Sequence, residues 1–277
     1  CIHAFDIDAS HVEASRQAVK EILEEHHVPH DTACTLATGW VREDDFLLAS
    51  TARYDAIVGN PPYIRIEQIA PQLQAIYRQR YATLYDRADL YVAFIERSLN
   101  LLNPDGVLSF VCADRWVRNR YGAPLRRLIT GRFKVRCYID LNQASPFESE
   151  VSAYPAIFAI SPGKTTSVKV AHLSTASPEE CTSVAAALTG DMIARSTTPI
   201  HKHKTWFSGE EPWTLISPDT LRVLRELESR FQPLEADGHT KVGIGVATGC
   251  DSVYIVDKHL AAADIEPDRL VPLVMRE

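Results

Sequence analysis

The sequence predicts an α/β fold in which helices cover a parallel sheet. Short apolar runs alternate with amphipathic helical patterns through about residue 160, which is typical of strands joined by crossover helices. The chain has 277 residues, 45% hydrophobic and 23% charged, so its length suits about two globular domains. No apolar run reaches the ~18 residues of a membrane helix and no secretion signal opens the chain, so we expect a cytoplasmic protein without a membrane partner.

Local patterns predict most elements of the first region. Residues 2–7 form an apolar strand, and Ser10 begins a helix through a capping box with Glu13, until Pro29 ends it. Apolar residues recur at helical spacing over 89–102. Further strands are predicted at 33–37, 54–58, 107–112, 135–139, 156–160 and 168–173, and a further helix around 124–129.

A second region is predicted from His201 onward. Ser217 caps a helix with Pro218 at its first position, and 242–247 with 253–256 form a predicted hairpin. The stretch before this region is polar and rich in Ser and Thr. We therefore place a boundary near residue 200, which gives domains at 1–200 and 201–277.

Cysteine and histidine usage predicts neither a disulfide framework nor a metal site. The six cysteines are scattered without a C-x-x-C pair, which is typical of reduced thiols. His26, His27 and His30 lie close together, but Pro29 breaks the helix that would align them. The chain opens on Cys1 within an apolar stretch, so we expect a fragment of a longer protein.

The strongest motif is Asn60-Pro61-Pro62-Tyr63, which follows the predicted strand at 54–58. Ligands of open α/β sheets bind at the carboxyl ends of strands. The prolines stiffen the loop and remove two N–H donors, so Asn60 and the Pro61 carbonyl become acceptors beside the Tyr63 ring. Two acceptors on a conjugated amino group favour a pyramidal nitrogen with an available lone pair. The motif therefore predicts methylation of an amide or aromatic amine, and the structural alternative is a plain proline turn.

This loop and the segments around it resemble the S-adenosylmethionine-dependent amino-group methyltransferases, in particular the Taq-type and type IIG N6-adenine DNA methyltransferases. The resemblance covers about residues 1–160 and implies a Rossmann-like class I methyltransferase sheet with helices on both faces. The segment 242–249 resembles the start of the smaller α+β target-recognition domain of that family. The resemblance implies that Asn60, Pro61, Pro62 and Tyr63 are catalytic.

The same resemblance implies a set of cofactor-binding residues. Asp6 would bind the ribose hydroxyls of S-adenosylmethionine, Asp45 the adenine amino group, and Phe46 the adenine ring. Phe94 would lie near the cofactor, although its apolar stripe is equally typical of a core residue, and Asp6 is alternatively a turn residue. The family's glycine-rich loop would precede Cys1.

The charge is distributed unevenly along the chain. The net charge of −7 argues mildly against a nucleic-acid partner. Residues 115–136, however, carry eight Lys and Arg and no acidic residue, so the rest of the chain has a net charge of −15 (−7 minus 8). Arg115, Arg118 and Arg120 follow the predicted strand at 107–112, so we predict that they bind DNA phosphates. The alternative is an ordinary solvated face.

An adenine in duplex DNA must leave the base stack before its N6 atom can react. The resemblance implies that Tyr63 stacks on the flipped base and that Phe147 closes the pocket. Double-stranded DNA is thus the expected partner, with restriction or phage-defence subunits as further partners.

Three alternatives remain open at this stage. Release-factor glutamine methyltransferases share the loop, but they end soon after the sheet, whereas 214 residues follow Tyr63 here (277 minus 63). An RNA amino-methyltransferase is the second alternative. The third is a non-catalytic DNA-recognition subunit of a restriction or defence system.

Overall fold

The computed structural model describes residues 2–144, 155–190, 198–241, 254–256, 265–266 and 269–270. The chain divides into two compact units, Cys1–Leu221 and Arg222–Glu277. Within the described ranges, no helix is both long and apolar enough to cross a membrane.

Strands and helices alternate along much of the described chain. The strands are β1 (Ala4–Asp6), β2 (Val41–Glu43), β3 (Tyr54–Gly59), β4 (Leu102–Ala113), β5 (Phe133–Asp140), β6 (Pro155–Pro162), β7 (Val168–His172) and β8 (Ile200–His203). The helices are α1 (Ala9–Glu25), α2 (His30–Trp40), α3 (Pro71–Arg80), α4 (Tyr91–Asn100), α5 (Arg115–Arg118), α6 (Ala123–Arg132), α7 (Pro178–Thr189) and α8 (Pro218–Arg230). Short 3-10 helices lie at Ile66–Gln68, Arg120–Gly122 and Leu234–Asp237.

The strands form two sheets, and the larger one is mixed rather than parallel. β1 pairs with β2 in parallel, and the larger sheet has the order β3-β4-β6-β5-β7-β8. β6 runs antiparallel to β4 and β5, and β8 runs antiparallel to β7. The parallel-sheet prediction is wrong for these strands, because strand direction depends on the connections and not on a strand's own apolar pattern. β3, β4, β5 and β7 share one direction, so their carboxyl ends lie at one edge, here called the carboxyl edge.

Helices cover both faces of the larger sheet, as predicted. Successive residues of a strand point to opposite faces, and Tyr138 and Ile139 of β5 belong to different hydrophobic clusters. The main cluster contains Tyr138 together with Ile95 of α4 and Leu125 of α6. The second cluster packs Ile139 against Val184 of α7. Each large apolar side chain buried in this way contributes about 1.5–3 kcal/mol, so both clusters hold helices onto the sheet.

Two predictions near the amino terminus are wrong. Residues 33–37 lie in α2 and not in a strand, since Ala33 and Ala37 are both buried at the spacing of one helix face. A short apolar run does not by itself separate a strand from a helix. Asp8 is the N-cap of α1 and its carboxylate accepts the Ser10 N–H at 2.8 Å, so Ser10 lies inside the helix.

The helices α3, α5 and α7 and the strands β2 and β8 have no counterpart among the predicted elements. α7 has the start signals of a helix: Ser177 caps it, Pro178 follows, and the Glu180 N–H donates to the Ser177 hydroxyl at 3.2 Å. At its other end, Lys169 of β7 donates to the last carbonyls of the helix. α7 therefore lies where we expected a polar connection. The other strands and helices predicted up to residue 173 are present with shifted ends.

The described residues of the second unit include most of α8. α8 begins at Pro218, and the Ser217 hydroxyl accepts the Thr220 N–H at 3.2 Å, in agreement with the predicted cap. The predicted hairpin and the segment 242–249 lie largely outside the described residues. Residue 200 is the first residue of β8 in the first unit, and the division into domains 1–200 and 201–277 stays a prediction.

Candidate functional site

The loop of Asn60, Pro61, Pro62 and Tyr63, here called the NPPY loop, directly follows β3 at the carboxyl edge. Asn60 is exposed, Pro61 is buried, and Pro62 and Tyr63 are half-buried. The prolines fix the backbone dihedral angles of the loop, while Asn60 remains accessible to a ligand. The structure therefore presents an acceptor side chain at the position where open sheets bind ligands.

The chain after the NPPY loop is tied to the start of α4. The Leu90 N–H donates to the Ile64 carbonyl at 2.8 Å, and Arg65 pairs with Asp89 in an antiparallel bridge. With β3 before it and this bridge after it, the loop is held on both sides.

Tyr63 is held by packing of its ring. The ring packs against the main core and meets the Tyr91 ring edge to face, with centroids 6.2 Å apart. The Tyr63 hydroxyl is buried and has no hydrogen-bond partner in the described part of the chain. Burial, reinforced by Cys112, raises the pKa of Tyr63 to about 12. The ring is thus a neutral aromatic platform and not a proton donor or acceptor near neutral pH.

Behind Tyr63 lies a small network of hydroxyls and one carboxylate. The hydroxyls of Tyr91 and Tyr121 are 2.7 Å apart, and the Tyr121 hydroxyl donates to Asp89 Oδ2 at 3.4 Å. Burial raises the pKa of the Asp89 carboxyl, against the opposing effects of the two tyrosines and Arg115. This network fixes the Tyr91 ring on which Tyr63 rests.

The two predicted cofactor carboxylates, on Asp6 and Asp45, are brought near each other by the pairing of β1 and β2. Asp6 ends β1, and its backbone carbonyl accepts the Asp44 N–H at 3.0 Å. The Asp6 side chain is 43% exposed, with Oδ1 accepting the Asp8 N–H at 2.9 Å and Oδ2 lying 3.7 Å from His11 Nδ1. Asp6 therefore makes local turn contacts and still offers an accessible carboxylate.

Asp45 is held by hydrogen bonds to both carboxylate oxygens. Oδ1 accepts the Leu47 N–H at 2.8 Å, and Oδ2 accepts the Tyr77 hydroxyl at 2.6 Å. Burial and the contact with Asp45 raise the pKa of Tyr77, which keeps this hydroxyl a donor. Each carboxylate oxygen has a second lone pair, so Asp45 can accept a further donor from a ligand.

Phe46 and Phe94 form an aromatic stack beside these carboxylates. Their ring centroids are 5.5 Å apart at an interplanar angle of 28°, and Phe5 adds a third ring 5.6 Å from Phe46. Both rings also pack against the main core. Phe94 therefore lies beside the predicted cofactor residues and is at the same time a residue of the hydrophobic core.

Helix α4 touches both parts of the candidate site. Tyr91 contacts the NPPY-loop tyrosine, and Phe94, three residues later, stacks on Phe46. Three residues correspond to about 4.5 Å along a helix axis. The NPPY loop and the cluster around Asp45 and Phe46 therefore contact neighbouring turns of the same helix.

Several residues of this site were missed in the sequence. Tyr77 of α3, Tyr81 directly after α3 and Arg97 of α4 all reach the turn at residues 45–49. Tyr77 and Tyr81 are four residues apart, a spacing that predicts a shared helix face, but their partners lie more than 30 positions away in sequence. No local pattern indicates such contacts.

The basic run is divided by the fold. Arg115, Arg118 and Arg120 follow β4 at the carboxyl edge, as predicted, and Arg118 and Arg120 are exposed. Arg132 and Lys134 lie at the start of β5, at the opposite edge. Two further arginines serve the fold: Arg126 is 2% exposed and donates to backbone carbonyls, and Arg127 pairs with Glu210. The last member, Arg136, is an exposed residue of β5.

Two carboxylates lie near the basic residues of the carboxyl edge. Asp114 is 8% exposed and accepts the Tyr138 hydroxyl at 3.1 Å. Burial raises the pKa of the Asp114 carboxyl, and Arg118 acts in the opposite direction. Against the raising effect of burial, hydrogen bonds with His172 and with the Asn142 N–H lower the pKa of Asp140, and Arg118 adds to this lowering. The charge of Arg118 is thus partly balanced by these carboxylates. Phe147, the predicted lid over the base, lies outside the described residues.

Comparison with known proteins identifies the relatives of this chain. Residues 1–147 match the Eco57I restriction-modification methylase family. The type II methyltransferase M.PaeR7I of Pseudomonas aeruginosa is 42% identical over 99% of this chain and 47% of its own length. M.BstVI of Geobacillus stearothermophilus is 41% identical over 99% of this chain and 50% of its own. The chain spans about half the length of these relatives.

A solved structure shows the same fold. The type I restriction-modification system methyltransferase subunit from Streptococcus thermophilus superposes with a TM-score of 0.51 at 15% identity, over 73% of this chain and 44% of that one. This likeness confirms the predicted α/β architecture. Since the family match covers more than half of the residues, the chain belongs to the Eco57I restriction-modification methylase family.

Proposed function

We propose that this chain is the catalytic part of a site-specific DNA methyltransferase of a restriction-modification system, which methylates adenine N6 in duplex DNA and acts in the cytoplasm. The observation that supports it best is the position of the NPPY loop at the carboxyl edge, with the acidic and aromatic cluster one helical turn away along α4. The relatives named as type II methyltransferases support the same activity.

The residues present fit S-adenosylmethionine as the cofactor. Asp6 offers an accessible carboxylate for ribose hydroxyls, Asp45 has acceptor capacity for the adenine amino group, and Phe46 with Phe94 supplies aromatic surface for its ring. When bound, S-adenosylmethionine supplies an electrophilic methyl group.

The NPPY loop prepares the target nitrogen. The amide oxygen of Asn60 and the carbonyl of Pro61 accept the two N–H bonds of the adenine amino group. Holding both protons in this way favours a pyramidal nitrogen whose lone pair is free to attack. Pro61 is buried and the loop is held on both sides, so the acceptors are preorganised.

The remaining residues handle the flipped base and the duplex. Tyr63 stacks on the base, since its ring is held by the core and by Tyr91. Arg115, Arg118 and Arg120 bind phosphates beside the loop, and Phe147 closes over the base. Subunits of the same restriction or defence system are the proposed further partners.

Replacing Asn60 by alanine in the intact protein tests the proposal. We expect kcat for duplex DNA to fall by at least about a hundredfold, the factor typical for losing one preorganised polar contact, with DNA affinity retained. Asn100→Ala is the matched control, because Asn100 is an exposed asparagine at the end of α4. An Asn60→Ala enzyme as active as the control would refute the assignment.

The choice of methyl acceptor separates the alternatives. Duplex DNA, RNA and a glutamine-containing peptide are offered to the intact protein, and methylated adenine is identified by mass spectrometry. Methylation of DNA adenine contradicts a non-catalytic recognition subunit, and exclusive methylation of RNA or peptide contradicts the DNA proposal.

A further inference from the structure

Three buried side chains hold the turn at residues 45–49, here called the cofactor turn. Tyr77 donates to Asp45, Tyr81 donates to the Leu47 carbonyl, and Arg97 donates to carbonyls of the same turn. The three side chains are 5%, 4% and 7% exposed, respectively. Buried donors that converge on one short turn restrict its conformation.

Arg97 makes the most extensive contact with the cofactor turn. Its Nη1 donates to the Leu47 carbonyl at 3.4 Å and its Nη2 to the Ala49 carbonyl. The guanidinium carbon also lies 5.1 Å from the centre of the Phe46 ring, within range of a cation–π interaction. One side chain thus holds both the backbone of the turn and the aromatic ring that it carries.

The surroundings of Arg97 are unusual for a residue that serves stability alone. Within the ranges that the structure describes, Arg97 forms no ion pair, and its Nε has no hydrogen-bond partner. A buried cation without a carboxylate is costly, and an apolar side chain of similar volume is often more stabilising. This points to a role in placing the turn.

Arg97 also extends the face of α4 that serves the rest of the site. Tyr91, Phe94 and Arg97 follow at intervals of three residues and contact, in turn, Tyr63, Phe46 and the cofactor turn. One rigid helix thereby sets the position of the base platform relative to the cofactor residues.

We propose that Arg97 is a positioning residue of the cofactor site, which fixes Phe46 and the cofactor turn and so determines the affinity for S-adenosylmethionine. This inference rests on the proposed function, since it takes Asp45 and Phe46 as cofactor residues. A lysine at position 97 keeps the charge but lacks the planar guanidinium group. It therefore cannot donate to two carbonyls and contact the face of the Phe46 ring at the same time. Methionine removes the charge and all donors.

The test measures binding of S-adenosylhomocysteine, a stable analogue, to the intact protein by calorimetry. We expect Arg97→Lys and Arg97→Met to weaken binding by about tenfold or more, the factor expected for losing hydrogen bonds of a charged donor. DNA affinity stays unchanged. In steady-state kinetics the KM for S-adenosylmethionine rises, while kcat at saturating cofactor changes little, a division that a loss of folded protein does not produce.

Arg126→Lys is the matched control. Arg126 is 2% exposed and donates to backbone carbonyls of Trp116, Asn119 and Glu210 at 2.5–3.0 Å, so it is likewise buried, but its hydrogen bonds go to other parts of the chain. We expect this variant to lose thermal stability and to keep its affinity for the analogue. Equal weakening in the Arg126 and Arg97 variants would overturn the inference.

Two further variants separate this inference from the proposed function. Tyr81→Phe removes one donor from the Leu47 carbonyl and serves where Arg97→Met does not fold. If Phe46→Ala weakens analogue binding while Arg97→Lys and Tyr81→Phe do not, the positioning role is wrong and the cofactor site stands. If Phe46→Ala also binds normally, the proposed cofactor site itself is wrong.

Discussion

Replacing Tyr63 by phenylalanine removes one hydroxyl and keeps the aromatic ring. The Tyr63 hydroxyl is buried and has no hydrogen-bond partner among the described residues. Leaving a buried polar group unsatisfied costs about 1–3 kcal/mol relative to its hydration in the unfolded chain. Because the ring is only half-buried, we expect the low end of this range: Tyr63→Phe raises the free energy of unfolding by about 1 kcal/mol.

Tyr77→Phe is the matched control for this prediction. Its hydroxyl does have a partner, the Asp45 carboxylate at 2.6 Å, and hydrogen bonds to charged groups contribute about 1.5–3 kcal/mol. The same chemical change should therefore lower the free energy of unfolding by about 1.5–3 kcal/mol at position 77. The two substitutions have opposite signs only because one hydroxyl is satisfied and the other is not.

Urea denaturation of the intact protein measures both effects as shifts of the midpoint at a constant m-value. Fluorescence of 2-aminopurine at the target position reports base flipping in parallel, and Tyr63→Phe should keep this signal because stacking depends on the ring. A Tyr63→Phe protein that is less stable than the parent, or that no longer flips the base, would show that the hydroxyl has a role which the structure does not assign to it.

Two further predictions concern the segment after β4. A Cβ atom on Gly122 would lie 1.9 Å from the Trp116 carbonyl oxygen, so Gly122→Ala should lower the free energy of unfolding by at least about 3 kcal/mol. Gly131→Ala is the control, because open space surrounds its Cβ and the change should be neutral or slightly stabilising. Equal effects of the two substitutions on the thermal midpoint would contradict this. Burial raises the pKa of Asp114, so its contribution to stability is complete below its ordinary pKa of 3.8 and is lost as the pH rises through the raised value. Asp114→Asn should therefore be more stable than the parent at pH 7, with an advantage that disappears as the pH approaches 4, and a parent that is the more stable of the two at pH 7 would contradict the burial effect.

The NPPY loop could be located from sequence because its signals are local. A strand of apolar residues, a glycine and two prolines follow one another, and the structure places the loop directly after β3. The segments that carry Asp6, Asp45 and Phe46 are adjacent in the structure, and the role of these residues in cofactor binding stays a prediction. These residues lie at strand ends or next to them, where position follows from strand order.

The supporting contacts could not be predicted because they join distant parts of the chain. Tyr77 and Arg97 reach the cofactor turn across 32 and 50 positions, respectively, and neither stands in a recognisable motif. The strand predicted at 33–37 failed for a different reason, since alanines spaced four apart fit a helix face as well as a short apolar run. The antiparallel direction of β6 depends on how the chain returns across the sheet.

The structure also changes what the basic run means for DNA binding. Eight cations in sequence suggest a strongly charged face, but buried Arg126 and paired Arg127 serve the fold, and Arg132 and Lys134 occupy the far edge. On the proposed function, the three arginines beside the NPPY loop, at positions 115, 118 and 120, neutralise about three phosphates. Three phosphate contacts give a slope of about −2.7 when the logarithm of DNA affinity is plotted against the logarithm of salt concentration. Eight contacts, one for each cation of the run, would give a slope of about −7. On this proposal the carboxyl edge contributes a modest electrostatic attraction, and its main task is to align one flipped base with the acceptors of the loop.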